Sequence, residues 1–219
     1  MADVDWFVSD TLDAAALIGA LEAEGAVSHP LLAEPARRRL LAAAEAVAYR
    51  PGRSTVGSGA AIVRQELEWS DDFGAAGPFH DLTARYQALW DRALAALPRY
   101  PFATPLSFNE MMLTRYRPGW LGITPHRDHA SYINLVALIV LAGEGRFCVT
   151  ADRSGREARS VDGAPGRVIL MRAPGFLGND VRPFHSVADI AATRIVFGLR
   201  HEHPPGARLE RAARFVHRA

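Results

Sequence analysis

The chain contains no lysine: all 25 of its basic residues are arginine. That excludes the chemistries that need a lysine side chain, namely Schiff-base catalysis, pyridoxal phosphate enzymes and the phosphate-binding P-loop. Cysteine is nearly absent as well. Cys148 is alone among 219 residues, so no internal disulfide forms and a reducing compartment is expected. No apolar run approaches the ~20 residues of a membrane span. The longest, Ile133 to Ala142, is too short and carries Asn134. The opening Met1-Ala2-Asp3-Val4-Asp5 lacks the basic start of a secretory signal. A net charge of +1 offers no global field for nucleic acid. These absences predict a cytoplasmic protein without a membrane segment and without an evident obligate protein partner.

What is present suits one domain over residues 1–219, since 49% of the chain is hydrophobic and no repeat or low-complexity linker interrupts it. Residues 1–106 read as a mainly helical layer, 107–203 as a β core and 204–219 as a C-terminal tail. Asp10 or Thr11 is expected to cap a helix running to about Glu24, with Gly25 as its stop. Arg37–Ala48 is a second helix. Asp81–Leu97 is a third, because Leu82, Tyr86, Leu89, Trp90, Ala93 and Leu97 recur at helical spacing before Pro98. Tyr49–Ala61 reads as an exposed loop. From about Phe108 the period changes to short apolar runs bounded by Gly, Pro and Asp: Met111–Tyr116, Ile133–Leu141, Phe147–Thr150, Val168–Met171 and Arg194–Arg200. The expected class is α+β, a sandwich or small barrel with helices on one side.

Two imidazoles and one carboxylate carry the chemistry. His126 and Asp128 are two apart, so an extended backbone puts both on one face. His185 lies in Pro183-Phe184-His185-Ser186-Val187, a segment with the character of a neighbouring strand. Three such donors leave three positions open on an octahedral metal, the pattern of non-haem Fe(II) oxygenases; Zn, Mn, Co or Ni take the same set. His129 is expected outside it. In Arg194-Ile-Val-Phe-Gly-Leu-Arg200 a period of two sets Arg194, Val196, Gly198 and Arg200 against Ile195, Phe197 and Leu199. Two guanidiniums on one face of an apolar strand require anions, and the arginine fork suits a carboxylate. Thr114 and Tyr116 share a face and offer hydroxyls to the same ligand. Trp120, Tyr132 and Phe176 lie close in sequence to the metal ligands and are expected to wall a substrate pocket.

Leu113–Gly119, His126-Arg127-Asp128, Gly163–Met171, Pro183–Val187 and Arg194–Arg200 together resemble the AlkB-like branch of the Fe(II)/2-oxoglutarate dioxygenases. The resemblance covers a little under half the chain, and its most specific element is the arginine pair six residues apart. It implies a double-stranded β-helix (jelly-roll) with Fe(II) on His126, Asp128 and His185, and with 2-oxoglutarate and O2 as co-substrates. Arg194 would pair with the C5 carboxylate, Arg200 would lie near the C1 end, and Tyr116 would bond the co-substrate. The chain departs from the branch at Thr114 and Val196, where Asn is usual. It also has Ala130 where the repair enzymes carry a base-reading acid.

The implied reaction is hydroxylation or N-demethylation of a small-molecule, peptide or nucleic-acid substrate. An AlkB-type nucleic-acid demethylase is the alternative within that class, with Arg37–Arg39, Arg50 and Arg53 as candidate phosphate contacts. A zinc hydrolase or a non-catalytic metal-binding β-barrel would use the three donors but leave the arginine pair unexplained.

Overall fold

Asp13, rather than Asp10 or Thr11, caps the first helix: its carboxylate accepts from the Ala16 amide at 2.9 Å. The structure is a computed structural model and describes residues 5–203, so the expected tail at 204–219 lies outside the described residues. Helix α1 spans Ala14–Glu24 and stops at Gly25, whose φ of 77° suits glycine. After strand β1 (Ala26–Pro30) comes α2 (Glu34–Ala46). Strands β2 (Arg50–Pro51), β3 (Thr55–Val56), β4 (Val63–Glu66) and β5 (Glu68–Ser70) precede α3 (Pro78–Ala95). Both α2 and α3 begin three residues before their expected starts. Each takes a proline, Pro35 or Pro78, into its first turn, where the missing N–H costs nothing.

The remaining strands are β6 (Glu110–Tyr116), β7 (Gly122–His126), β8 (Tyr132–Thr150), β9 (Arg159–Val161), β10 (Arg167–Arg172) and β11 (Phe184–Glu202). They form an antiparallel sheet in the order β1-β10-β8-β11-β6-β5-β2, with β7 paired to both β11 and β4. The first hundred residues therefore supply strands to the sheet as well as its helices. The runs expected at Ile133–Leu141 and Phe147–Thr150 belong to one bent strand, β8. It turns at Gly143, φ 86°, where a Cβ would lie 2.1 Å from the Thr193 carbonyl oxygen. Only glycine lets β11 pass there, and β11 answers with register shifts between Ala188 and Ile195.

Alternation along three strands makes two apolar layers. Leu135, Ala137, Ile139 and Leu141 of β8, Val168 and Leu170 of β10, and Ile195, Phe197 and Leu199 of β11 pack against Leu21, Leu40, Leu82, Tyr86 and Trp90 of the helices. The intervening Val136, Ile169 and Met171 join Tyr116, Phe147 and Val187 on the other face. Among the described residues no helix is long and apolar enough to cross a membrane. Phe197 is fully buried, with ring centroids of Phe79 and Phe73 at 4.8 and 5.7 Å. Phe197→Ala should cost about 3–5 kcal/mol, read as a lower urea midpoint at unchanged slope; an unchanged midpoint would show that this layer does not carry the fold.

Candidate active site

Pairing of β7 with β11 sets His126 directly opposite His185. Asp128 follows two residues later, just past the end of β7. His126 Nε2 and His185 Nε2 lie 3.9 and 3.7 Å from Asp128 Oδ1. All three donor atoms fall within 4.8 Å of one another. Each imidazole is turned by its other nitrogen: His126 Nδ1 meets the Thr124 carbonyl at 3.0 Å and His185 Nδ1 the Pro183 carbonyl at 3.3 Å. A ring that donates through Nδ1 keeps its Nε2 lone pair for a metal. Phe147 stacks on His185 at 5.5 Å, closing that ring's other side. Ligands about 2.1 Å from one metal in cis positions stand about 3 Å apart, so each histidine–aspartate separation would close by under about 1 Å around an ion.

The electrostatics favour that state. Burial, then the charge of His185, holds His126 below the ordinary imidazole range. Burial opposes ionisation of Asp128, but His185, Arg200, His126 and Arg182 together outweigh it and hold the carboxyl below its usual value. The group is thus two imidazoles of which His126 is held neutral, and one carboxylate held charged.

Further along β11, Arg194 is cross-strand partner to Tyr116, Val196 to Thr114, and Arg200 to Glu110. Arg194 is 1% exposed. It donates from Nη1 to the Gly163 carbonyl at 3.0 Å, its Nε has no partner, and no carboxylate pairs with it among the described residues. A Cβ on Gly163 would come within 2.8 Å of its Nη2, so the absence of a side chain there makes the guanidinium's room. Burial pushes the Tyr116 phenol up to about 12, so its hydroxyl remains a donor. Arg200 is matched by Glu110 at 2.8 Å and lies over the Tyr132 ring at 5.1 Å.

A cavity of about 550 Å³ joins these parts; His126, Asp128, His185, Thr114, Tyr116, Arg194, Arg200 and Tyr132 all face it. Two expected wall residues do not. Trp120 sits in the turn between β6 and β7, under Arg117 and in a separate surface cleft with Ala188–Ala191. Phe176 is fully buried on the helix side against Phe102, because the turn after Pro174 points its ring away from the metal cluster. Their places are taken by Leu67 and Trp69 from β4–β5, Met112 on β6, and Gly52, Arg53 and Val56 from the expected 49–61 loop. Met112 was legible, since it precedes Thr114 and Tyr116 at period two; the short strand holding Trp69 had no such signal. His129 bonds Ser131 and is not in the cluster.

No family model matches the sequence, and no curated protein matches it. Solved structures do. A prolyl hydroxylase from Trichoplax adhaerens, in complex with a hypoxia inducible factor oxygen degradation domain peptide fragment, aligns over 90% of both chains at 16% identity, TM-score 0.62. A Pseudomonas putida prolyl-4-hydroxylase aligns over 86% of this chain and 98% of its own at 18% identity, TM-score 0.60. An oxidoreductase of the 2OG-Fe(II) oxygenase family from Burkholderia pseudomallei gives 16% identity, 86% and 91% coverage and TM-score 0.56. The chain shares their fold.

Two outcomes follow from the geometry. His126→Ala should weaken Mn(II) binding by more than about 100-fold, a loss beyond that of an outer partner, with the urea midpoint of the metal-free protein not lowered; titration calorimetry reads the first. Unfolded His126 takes a proton below pH ~6.5, whereas the folded group resists it to lower pH. The unfolded state then binds more protons in that window, so stability is full above pH ~6.5 and falls as pH drops. His29 and His201 shift the same way. The Tm of the metal-free protein should fall from pH 7 to 5, and less so in His126→Gln; equal slopes would remove His126 from this account.

Proposed function

We propose that the protein is an Fe(II)/2-oxoglutarate-dependent dioxygenase, coupling oxidative decarboxylation of 2-oxoglutarate to hydroxylation or N-demethylation of its substrate. The single observation that carries this is Arg194. A buried guanidinium without a carboxylate is very costly unless an anion arrives, and it faces the same cavity as a three-donor metal group. Two imidazoles and one carboxylate with their outer nitrogens engaged suit Fe(II). Bound iron would supply the activation of O2 that no side chain here provides.

The chain's own residues do the rest. His126, Asp128 and His185 hold the metal from one side. Arg194 takes the distal carboxylate of 2-oxoglutarate in its fork, and the protonated Tyr116 hydroxyl donates to it, with Thr114 as a second hydroxyl. Arg200 holds a positive potential beside Asp128 at the proximal end. Val196, Phe147, Ile169 and Leu138 exclude water around the reacting centre. We read residues 5–203 as one domain whose sheet is a double-stranded β-helix, with the three helices packed outside it.

The AlkB-type reading on nucleic acid receives less support. Ala130 is not an acid, and of the arginines proposed for phosphates Arg37 and Arg38 pair with Glu34, Arg39 with Asp81 and Arg50 with Asp71, which leaves Arg53, at the cavity, as the one without an ion pair among the described residues. A zinc hydrolase or a non-catalytic metal-binding barrel leaves Arg194 without an anion.

Equilibrium binding of 2-oxoglutarate to the Mn(II)-loaded protein tests the proposal. Arg194→Lys should weaken it roughly ten-fold or more while leaving Mn(II) affinity alone, because a bidentate fork becomes a point charge. If the loaded wild-type protein does not bind 2-oxoglutarate, the reading is wrong.

A further inference from the structure

Three guanidiniums lie near the metal group, against Asp128 and against Phe184 next to His185, and none has an ion-pair partner among the described residues. Arg182 donates from Nη1 to the backbone carbonyl of Asp128 at 2.6 Å. Arg127 lies over the Phe184 ring at 4.1 Å, and Arg153 approaches the same ring at 5.5 Å. Arg153 Nη1 is buried with no hydrogen-bond partner. Asp152 stands next to Arg153 in sequence, yet its carboxylate is taken by Ser154 and Arg156. Arg146 and Arg167, by contrast, pair with Asp189 and Asp162.

Formal charge shows what is missing. On the oxygenase reading, a divalent metal, Asp128, doubly charged 2-oxoglutarate and Arg194 together come to zero. Arg200 is cancelled by Glu110. Arg127, Arg153 and Arg182 then remain, without an ion-pair partner among the described residues. Like charges held this close beside a filled metal site are stabilised by an incoming anion. Of the three, Arg127 lines the cavity together with Val56, Val63, Leu67 and Met112, and the cavity's volume of about 550 Å³ is that of a small-ligand site.

We propose that the substrate is a small anionic molecule, its carboxylate or phosphate held by Arg127, Arg153 and Arg182 while its apolar part enters the cavity beside the metal. This rests on the oxygenase reading for the position of the reacting centre. A nucleic acid is disfavoured because, of the arginines that would continue a phosphate track, Arg37–Arg39 and Arg50 are paired and Arg53 alone is left.

The test uses the full chain loaded with Mn(II) and 2-oxoglutarate and four probes: phenylacetate, phenyl phosphate, the uncharged phenylacetamide, and an oligothymidylate eight nucleotides long. At least one phenyl anion should bind about ten-fold or more tighter than the amide, and the better of the two identifies the group recognised. Arg127→Gln/Arg153→Gln should remove most of that preference, and adding Arg182→Gln the rest. The double variant spares the Asp128 carbonyl contact, so it decides the matter if the triple variant does not fold. Equal binding of anion and amide, no binding of either anion, or a preference that survives the double variant overturns the proposal. An oligothymidylate that binds far tighter than phenyl phosphate, with steep salt dependence, overturns its small-molecule part. Failure of 2-oxoglutarate itself to bind wild-type protein would instead count against the oxygenase reading, and the anion preference would still be measured on the Mn(II) form.

Discussion

Arg194 is 1% exposed, and the residues that follow it along β11, Ile195, Phe197 and Leu199, are just as deeply buried on the opposite side of the sheet. The strand must bury both its faces, one against helices and one against a cavity that holds charge. Period-two alternation is what makes this possible. The apolar set supplies the burial that keeps β11 central in the sheet, and the same alternation delivers Arg194 and Arg200 to the other face, which His185, nine residues before Arg194, joins through the register shifts between Ala188 and Ile195. A slip of one residue would put the guanidiniums into the aromatic cluster of Phe73, Phe79 and Phe197, at a cost no local rearrangement recovers. Core and site are specified by one strand.

The partners of β11 complete the arrangement. β7 carries His126 to the position opposite His185, and β6 carries Tyr116 to Arg194 and Glu110 to Arg200. The two arginines meet different fates on that strand pair. Arg200 finds a carboxylate across the ladder, whereas Arg194 finds a phenol and a backbone carbonyl. On this strand pair the unmet charge is therefore that of Arg194, and it faces the same cavity as the three-donor group. The pairing of a metal group with a lone guanidinium makes a dicarboxylate that reaches both the natural occupant.

Much of this was legible in the sequence because it depends on short-range periodicity. His126-x-Asp128 and the alternation from Arg194 to Arg200 need only an extended backbone to place their side chains. Helix α3 was legible from Leu82 through Ala93, although it ends at Ala95 instead of Leu97 and its start at Pro78 was not read, since a proline reads as a stop until its first-turn role is considered. What sequence did not yield was set by long-range packing. Trp120 and Phe176 are near the ligands in the chain, but their turns direct them elsewhere. Leu67, Trp69 and the cluster of Arg127, Arg153 and Arg182 converge from segments whose approach no local pattern encodes. The single bent strand β8 was read as two, because the Gly143 bend interrupts the apolar run without ending the pairing.

The central claim is that the metal group and Arg194 act on one co-substrate. Its most direct test is succinate release from 2-oxoglutarate under air, with and without added Fe(II), in wild-type protein and in Asp128→Ala. The account predicts succinate formation that requires Fe(II) and is lost in Asp128→Ala while the variant stays folded. Protein that binds Fe(II) tightly yet releases no succinate above the iron-only background would contradict it.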